Sequence, residues 1–200
     1  MVAIIDYGMG NVASVQKALR ILEINSIVTQ NFDEIDNSKY IILPGVGSFR
    51  QAMKNLEERC LIGFLKEQVI KGKPFLGICL GMQLLANKGY EDGISDGLGF
   101  IEGEVIKIPN TGLPIPHIGW NNISIQNPQY FKSLVDDNFY FVHSYHFNTK
   151  NTIDISATVC YGQNIVAAVQ KNNVLGTQFH PEKSQMAGLQ VLKNFIAFYA

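Results

Sequence analysis

The chain has 200 residues, 46% of them hydrophobic, which is enough for one domain with a substantial core. Charged residues make up only 16% of it, and 16 basic against 17 acidic side chains leave a formal net charge of -1. Such a balance excludes a long-range field for nucleic acid or anionic lipid and suits a small neutral or zwitterionic ligand. Met1 to Asp6 lacks the basic leader of a signal peptide, and no later apolar run has the length of a bilayer span, so a cytoplasmic protein is expected. Cys60, Cys79 and Cys160 are odd in number and form no Cys-x-x-Cys pair, which leaves at least one thiol free for chemistry.

In chain order, Val2 to Asp6 reads as a short buried strand, followed by the loop Tyr7-Gly8-Met9-Gly10. Val12, Val15, Leu19 and Leu22 then recur at helical spacing. Tyr40 to Leu43 is a second strand, ending in Pro44-Gly45-Val46-Gly47, with helices predicted around Ala52 to Leu56 and from Leu61 to Ile70. Pro74 to Ile78 is a strand entering an apolar helix from about Gly81 to Ala86. Alternation of this kind builds a mostly parallel sheet with helices on both faces and reactive loops at the carboxyl ends of the strands. After Phe100 the runs become short and β-rich: Phe100 to Ile108, Ile123 to Ile125, Phe139 to His143, Ile155 to Val159, Ile165 to Gln170 and Val174 to Gln178. They read as hairpins added to the sheet. A last amphipathic helix, Met186 to Phe198, presents Leu189, Leu192, Phe195 and Ile196 on one side. With no repeat or linker, the expectation is a single α/β domain over 1-200.

The sharpest local pattern is Gly77-Ile78-Cys79-Leu80-Gly81 at a strand-to-helix junction, the form of a nucleophile elbow. Its glycines remove Cβ atoms that would collide where strand folds back on helix, and the strained central residue is expected to present an exposed thiol. The helix N-terminus favours negative charge on that sulfur, and the Leu80 N–H can face an oxyanion. A thiol nucleophile needs a base and a group that orients the base. His180 and Glu182, in Gly176-Thr177-Gln178-Phe179-His180-Pro181-Glu182, supply both, since a two-residue spacing in extended chain points them the same way. Alone, this run reads as a polar turn and Cys79 as a small core residue; together they read as a triad. The glycines of Pro44-Gly45-Val46-Gly47 let a backbone N–H approach a tetrahedral oxyanion, whereas a phosphate cradle would need a following Gly-Lys-Ser/Thr. His143 and His146 lack a third ligand, so no metal is expected. Cys60 and Cys160 lack an elbow and a nearby base and are expected to be structural.

Six ordered motifs, Ile5-Asp6-Tyr7-Gly8-Met9-Gly10-Asn11, Leu43-Pro44-Gly45-Val46-Gly47, Gly77 to Gln83, His117-Ile118-Gly119-Trp120-Asn121, His143-Ser144-Tyr145 and His180-Pro181-Glu182-Lys183-Ser184, run over nearly the whole chain. They resemble the triad-type (class I) glutamine amidotransferases, most closely the glutaminase subunits of imidazole glycerol phosphate synthase. The resemblance implies a flavodoxin-like α/β fold with added hairpins and a Cys79–His180–Glu182 glutaminase that needs no cofactor. It also implies an oxyanion hole from the backbone of Gly47 and Leu80, with glutamine held by Gln83 and the backbone of Ser144 and Tyr145. Asn11, Trp120 and Lys183 would lie near the interface with a (βα)8-barrel cyclase that receives the ammonia, since this chain has no place for the acceptor chemistry. His146 stands where the family usually has a second tyrosine, which leaves the acceptor open. Histidine biosynthesis comes first, and a paralogous subunit supplying a surface-sugar (lipopolysaccharide) amidotransferase second. A stand-alone cysteine peptidase or γ-glutamyl hydrolase, and a non-catalytic module on the same fold, are the readings from other classes.

Overall fold

The computed structural model describes residues 1–200. The first half lays down β1 (Val2–Ile5), α1 (Val12–Ile21), β2 (Ser26–Thr29), α2 (Phe32–Asp36), β3 (Tyr40–Gly45), α3 (Phe49–Glu58), α4 (Leu61–Ile70), β4 (Phe75–Cys79) and α5 (Leu80–Gln83). The second half adds β5 (Lys88–Gly89), β6 (Ser95–Asp96), β7 (Gly103–Lys107), β8 (His117–Ile125), β9 (Asn138–His143) and β10 (Tyr145–Thr149). It ends with β11 (Ile155–Cys160), β12 (Asn164–Lys171), β13 (Val174–Thr177) and α6 (Gln185–Phe198). A nine-stranded sheet runs β2-β1-β3-β4-β13-β12-β11-β8-β9, and a smaller sheet runs β10-β7-β5-β6. From β2 to β13 the neighbours are parallel; from β13 to β9 they are antiparallel. The expected mixed sheet is therefore present, with a parallel half and an antiparallel half joined at β13.

The parallel strands are continuous apolar runs because helices cover both of their faces. Val2, Ile4, Ile42, Leu76 and Ile78 pack with Val15 and Leu19 of α1 and Val191, Leu192 and Phe195 of α6. The alternate residues Ala3, Ile5, Ile41, Leu43 and Phe75 pack with Phe49, Ala52 and Leu56 of α3 and Leu61 and Leu65 of α4. This alternation follows from the two-residue period of a strand, and the parallel pairing lines up the carboxyl ends of β1, β3, β4 and β13 along one edge.

Several elements differ from the sequence reading. The helix predicted to reach Ala86 is a single turn, Leu80–Gln83. The carbonyls of Leu84, Leu85, Ala86 and Asn87 accept from N–H groups of residues 97–101, a tertiary competitor for the bonds that would extend the helix. For the same reason Phe100 and Ile101 lie in this capping loop, and their strand begins at Gly103. β8 starts at His117, well before the predicted Ile123. The short β2, α2 and β10 were not anticipated.

Candidate active site

β4 delivers Cys79 to the edge where the parallel strands end, and the chain turns there into α5. Cys79 has φ 54° and ψ -110°, a left-handed φ at a non-glycine residue and the strain expected of an elbow. The flanking glycines are required sterically: a Cβ on Gly81 would lie 1.8 Å from the Leu43 carbonyl oxygen, and one on Gly77 would lie 2.5 Å from the Gly81 oxygen. The thiol differs from expectation in being buried, although it lines a cavity of about 460 Å³. With only one helical turn behind it, the dipole available to a thiolate is small, so the neighbouring imidazole matters more.

That imidazole belongs to His180, placed just beyond β13, whose parallel pairing with β4 sets it beside the elbow. Its Nδ1 lies 2.8 Å from Glu182 Oε1, and both side chains are only 2% exposed. The turn is fastened to β9. The His180 N–H donates to the Tyr140 carbonyl (3.0 Å), Ser184 Oγ donates to the His180 carbonyl (2.6 Å), and the Tyr140 N–H donates to Ser184 Oγ (3.0 Å). His180 Nε2 is buried and makes no hydrogen bond, so it is the ring nitrogen free for proton transfer. Burial works to lower the His180 pKa, but the neighbouring Cys79 and Glu182 outweigh it and hold the group at about 10. At neutral pH the ring is an imidazolium between a carboxylate and a sulfur.

The cavity is lined by Val46, Gly47, Ser48, Cys79, Gln83, Glu91, Pro116, Val142, His143, Ser144 and Tyr145. Four residues predicted from sequence for the oxyanion and for glutamine, Gly47, Gln83, Ser144 and Tyr145, thus meet Cys79 around one space. Gly47 has φ +108°, which a side chain would strain, while Leu80 directly follows the nucleophile and turns its own side chain into the core. Gln83 Nε2 donates to the Tyr145 carbonyl (2.9 Å) and to Gln178 Oε1 (3.1 Å), so its two hydrogens are used and Oε1 is the end left to accept.

Three contributors were missed by the sequence reading. Gln178 is fully buried, and its Nε2 donates to Cys79 Sγ at 3.8 Å. The strand β13 ends at Thr177 and the chain bends at Gln178 and Phe179, so the sequence held no periodic signal for this contact. Glu91 is the one carboxylate in the cavity lining; burial pushes its pKa up, against the hydrogen bond it accepts from the Phe49 N–H at 2.8 Å. His117 stands opposite His143 in the β8–β9 register and bonds to it. Glu91 carries no local sequence signal, and His117, although it opens the motif His117-Ile118-Gly119-Trp120-Asn121, is brought to the site only by strand pairing.

The three residues expected near a partner sit around this edge. Asn11 caps α1 through Oδ1, which accepts from the Ser14 N–H at 3.3 Å. Trp120 is 46% exposed, so it is not the core residue a lone tryptophan often is, and it packs edge-on against Tyr140. Lys183 Nζ lies 5.9 Å from the centre of the same Tyr140 ring. Cys60 and Cys160 are free and exposed, and neither lines the cavity.

A buried Cys–His–Glu constellation at a parallel-strand edge, facing an amino-acid-sized cavity, defines a thiol-dependent α/β enzyme site. The model of the glutamine amidotransferase class-I family matches residues 3–198, and the chain belongs to that family. It is 48% identical over 199 residues to imidazole glycerol phosphate synthase subunit HisH 1 of Campylobacter jejuni subsp. jejuni serotype O:23/36 (strain 81-176), covering 98% of both chains. It is 44% identical to imidazole glycerol phosphate synthase subunit HisH of Geobacillus sp. (strain WCH70), covering 98% of this chain and 95% of that one. Against the HisH subunit of Aquifex aeolicus (strain VF5) the identity is 45%, with 96% and 94% covered. Among solved structures, a glutamine amidotransferase superposes with a TM-score of 0.76 at 20% identity, covering 100% of this chain and 99% of that one. The Thermotoga maritima PurLQS structure gives 0.75 at 17%, covering 100% and 98%. These two likenesses speak to the fold.

Proposed function

We propose that this chain is the glutaminase subunit of an imidazole glycerol phosphate synthase, hydrolysing glutamine and passing the ammonia to a cyclase partner. The observation that carries the reading is the meeting of Cys79, the His180–Glu182 pair and the cavity residues Gly47, Gln83, Ser144 and Tyr145 at one sheet edge. The high identity to HisH subunits over nearly the full length supports the choice of pathway.

In this reading the Cys79 thiolate, its proton already carried by His180, attacks the side-chain carboxamide carbon of glutamine, and the backbone N–H groups of Gly47 and Leu80 receive the oxyanion. The imidazolium of His180 gives its Nε2 proton to the departing nitrogen, leaving a glutamyl thioester and ammonia. His180, now neutral, takes a proton from water as the water attacks the thioester, and glutamate leaves. Glu182 holds the ring so that Nδ1 keeps its hydrogen throughout. Gln83 Oε1 and the Glu91 carboxylate receive the substrate ammonium, while backbone N–H groups at Ser144 and Tyr145 receive its carboxylate. Asn11, Trp120 and Lys183 belong to the docking face of the partner, a (βα)8-barrel. Exposed Ile118 and Trp120 give that face its apolar contact, and Lys183 gives it charge.

The test is trapping. Incubated with labelled glutamine and quenched in acid, the wild-type chain in complex with its cyclase is expected to carry a glutamyl thioester on Cys79. Cys79→Ala should carry none and lose glutaminase activity while still binding the partner, and Cys60→Ala and Cys160→Ala should keep it. Label on either exposed cysteine, or turnover by the Cys79 variant, would overturn the reading.

A further inference from the structure

β8 and β9 set two histidines opposite each other, His117 against His143. His117 Nδ1 lies 3.0 Å from His143 Nε2, and His143 Nδ1 lies 2.8 Å from the Tyr145 carbonyl oxygen. A carbonyl oxygen only accepts, so the hydrogen of His143 is on Nδ1 and its Nε2 is bare. His117 must then donate from its own Nδ1. The two neutral rings form a one-way relay from His117 through His143 to Tyr145.

The far end of this relay is part of the site. The Tyr145 carbonyl also accepts from Gln83 Nε2, which donates in turn to Gln178, and Gln178 donates to Cys79 Sγ. Both lone-pair positions of the Tyr145 carbonyl are thereby occupied, and the orientation of the Gln83 amide is set, with Oε1 left for the substrate. His117 is itself held face to face with Tyr161, ring centres 4.0 Å apart, and with Phe141, 4.9 Å apart. The Tyr161 hydroxyl donates to the Pro114 carbonyl at 2.6 Å, so the stack is anchored at its outer side.

We infer that the buried His117–His143 pair is a positioning device for the amino-acid end of the substrate, fixing the Tyr145 carbonyl and, through it, the Gln83 amide that receives the substrate ammonium. This rests on the glutaminase reading above. His117 touches neither substrate nor the reacting sulfur and acts only through His143. Burial holds both rings in the neutral form, with pKa values pushed down to about 4 and about 3, consistent with a relay of uncharged imidazoles.

The experiment compares His117→Phe, which keeps the stack and loses the donor, with His117→Asn, whose amide N–H can replace Nδ1–H. Each is measured in the complete complex for KM and kcat with glutamine, and for inactivation by an electrophilic glutamine analogue. Alkylation of Cys79 by iodoacetamide, which has no amino-acid end, serves as the control. In His117→Phe the KM, and the analogue concentration for half-maximal inactivation, should rise about tenfold, equivalent to about 1.4 kcal/mol. The kcat and the iodoacetamide rate should stay within about threefold of wild type, and His117→Asn should restore most of the affinity. An unchanged KM in His117→Phe, a fall in kcat with KM constant, or an Asn variant as impaired as the Phe variant would overturn the proposal. If the analogue does not saturate or label Cys79 in the wild-type complex, the glutaminase reading fails instead, so the two failures are distinguishable.

Discussion

At Cys79 the left-handed backbone, the buried sulfur and the imidazolium of His180 form one electrostatic unit, and removing parts of that unit has unequal consequences. His180→Asn removes the proton carrier for both half-reactions and should lower kcat by about a thousandfold or more. Glu182→Gln leaves a group in contact with Nδ1 and should cost less, on the order of a hundredfold. Steady-state kinetics in the complex checks this; near-normal turnover by His180→Asn would end the triad assignment. The histidines also predict how stability depends on pH. His117 and His143, with pKa values pushed down to about 4 and about 3 by burial, and His146, lowered for the same reason, are neutral in the fold. Their unfolded counterparts gain protons below about 6.5, so the stability they contribute is full above that pH and lost as the pH falls toward 4 and 3. His180 works in the other direction. Held at about 10 chiefly by Cys79 and Glu182 against the effect of burial, it contributes stability that is full below about 6.5 and lost as the pH rises through 10. Urea midpoints should therefore peak between these ranges, and a midpoint that stays flat from pH 6.5 to 4 would contradict the buried neutral histidines.

At the scale of the element, the elbow depends on how closely α5 approaches β3 and β4. Gly81→Ala would place a methyl group 1.8 Å from the Leu43 carbonyl oxygen, a backbone atom that cannot rotate away. Such overpacking typically costs about 1–3 kcal/mol or more, and the displacement would fall on Cys79, so a lowered melting temperature and lost thioester formation should appear together. Thermal denaturation with the trapping assay measures both, and a wild-type melting point would mean that α5 can move away from β3 at no cost. The elbow itself was legible in the sequence because its glycine spacing is local. The true length of α5 was not. Residues 97–101 take the carbonyls that a longer helix would use, and nothing near Leu84 to Asn87 announces that competitor. β2 and α2 escaped notice because each is short and mixed in polarity, so neither shows a periodicity strong enough to read.

For the whole molecule, the placement of the site beside an exposed aromatic face predicts coupling to a partner. Glycines flank Val46, and Gly47 has φ +108°, so under the proposed function a rotation of this peptide unit, selected by partner contacts, is expected to bring the Gly47 N–H to the oxyanion. The isolated chain should hydrolyse glutamine slowly, the complex with the cyclase and its nucleotide-like ligand at least about tenfold faster, and Trp120→Ala should lose most of that stimulation. Equal rates for the isolated chain and the liganded complex would rule out gating. Stimulation by a surface-sugar amidotransferase in place of the cyclase would keep the mechanism and change the pathway. The sequence by itself determined the parallel α/β core and the elbow at Cys79, because strand period and glycine spacing are local signals; it also named the His180–Glu182 pair, although the two are joined by a 3-10 turn, Pro181–Lys183, and not by the extended chain expected. Only the tertiary structure decided that the thiol is buried, that Gln178 lies against it, that Glu91 enters the cavity and that His117 bonds His143. Those contacts join residues as far apart as 99 positions, set by strand order and register rather than by any neighbour in the chain.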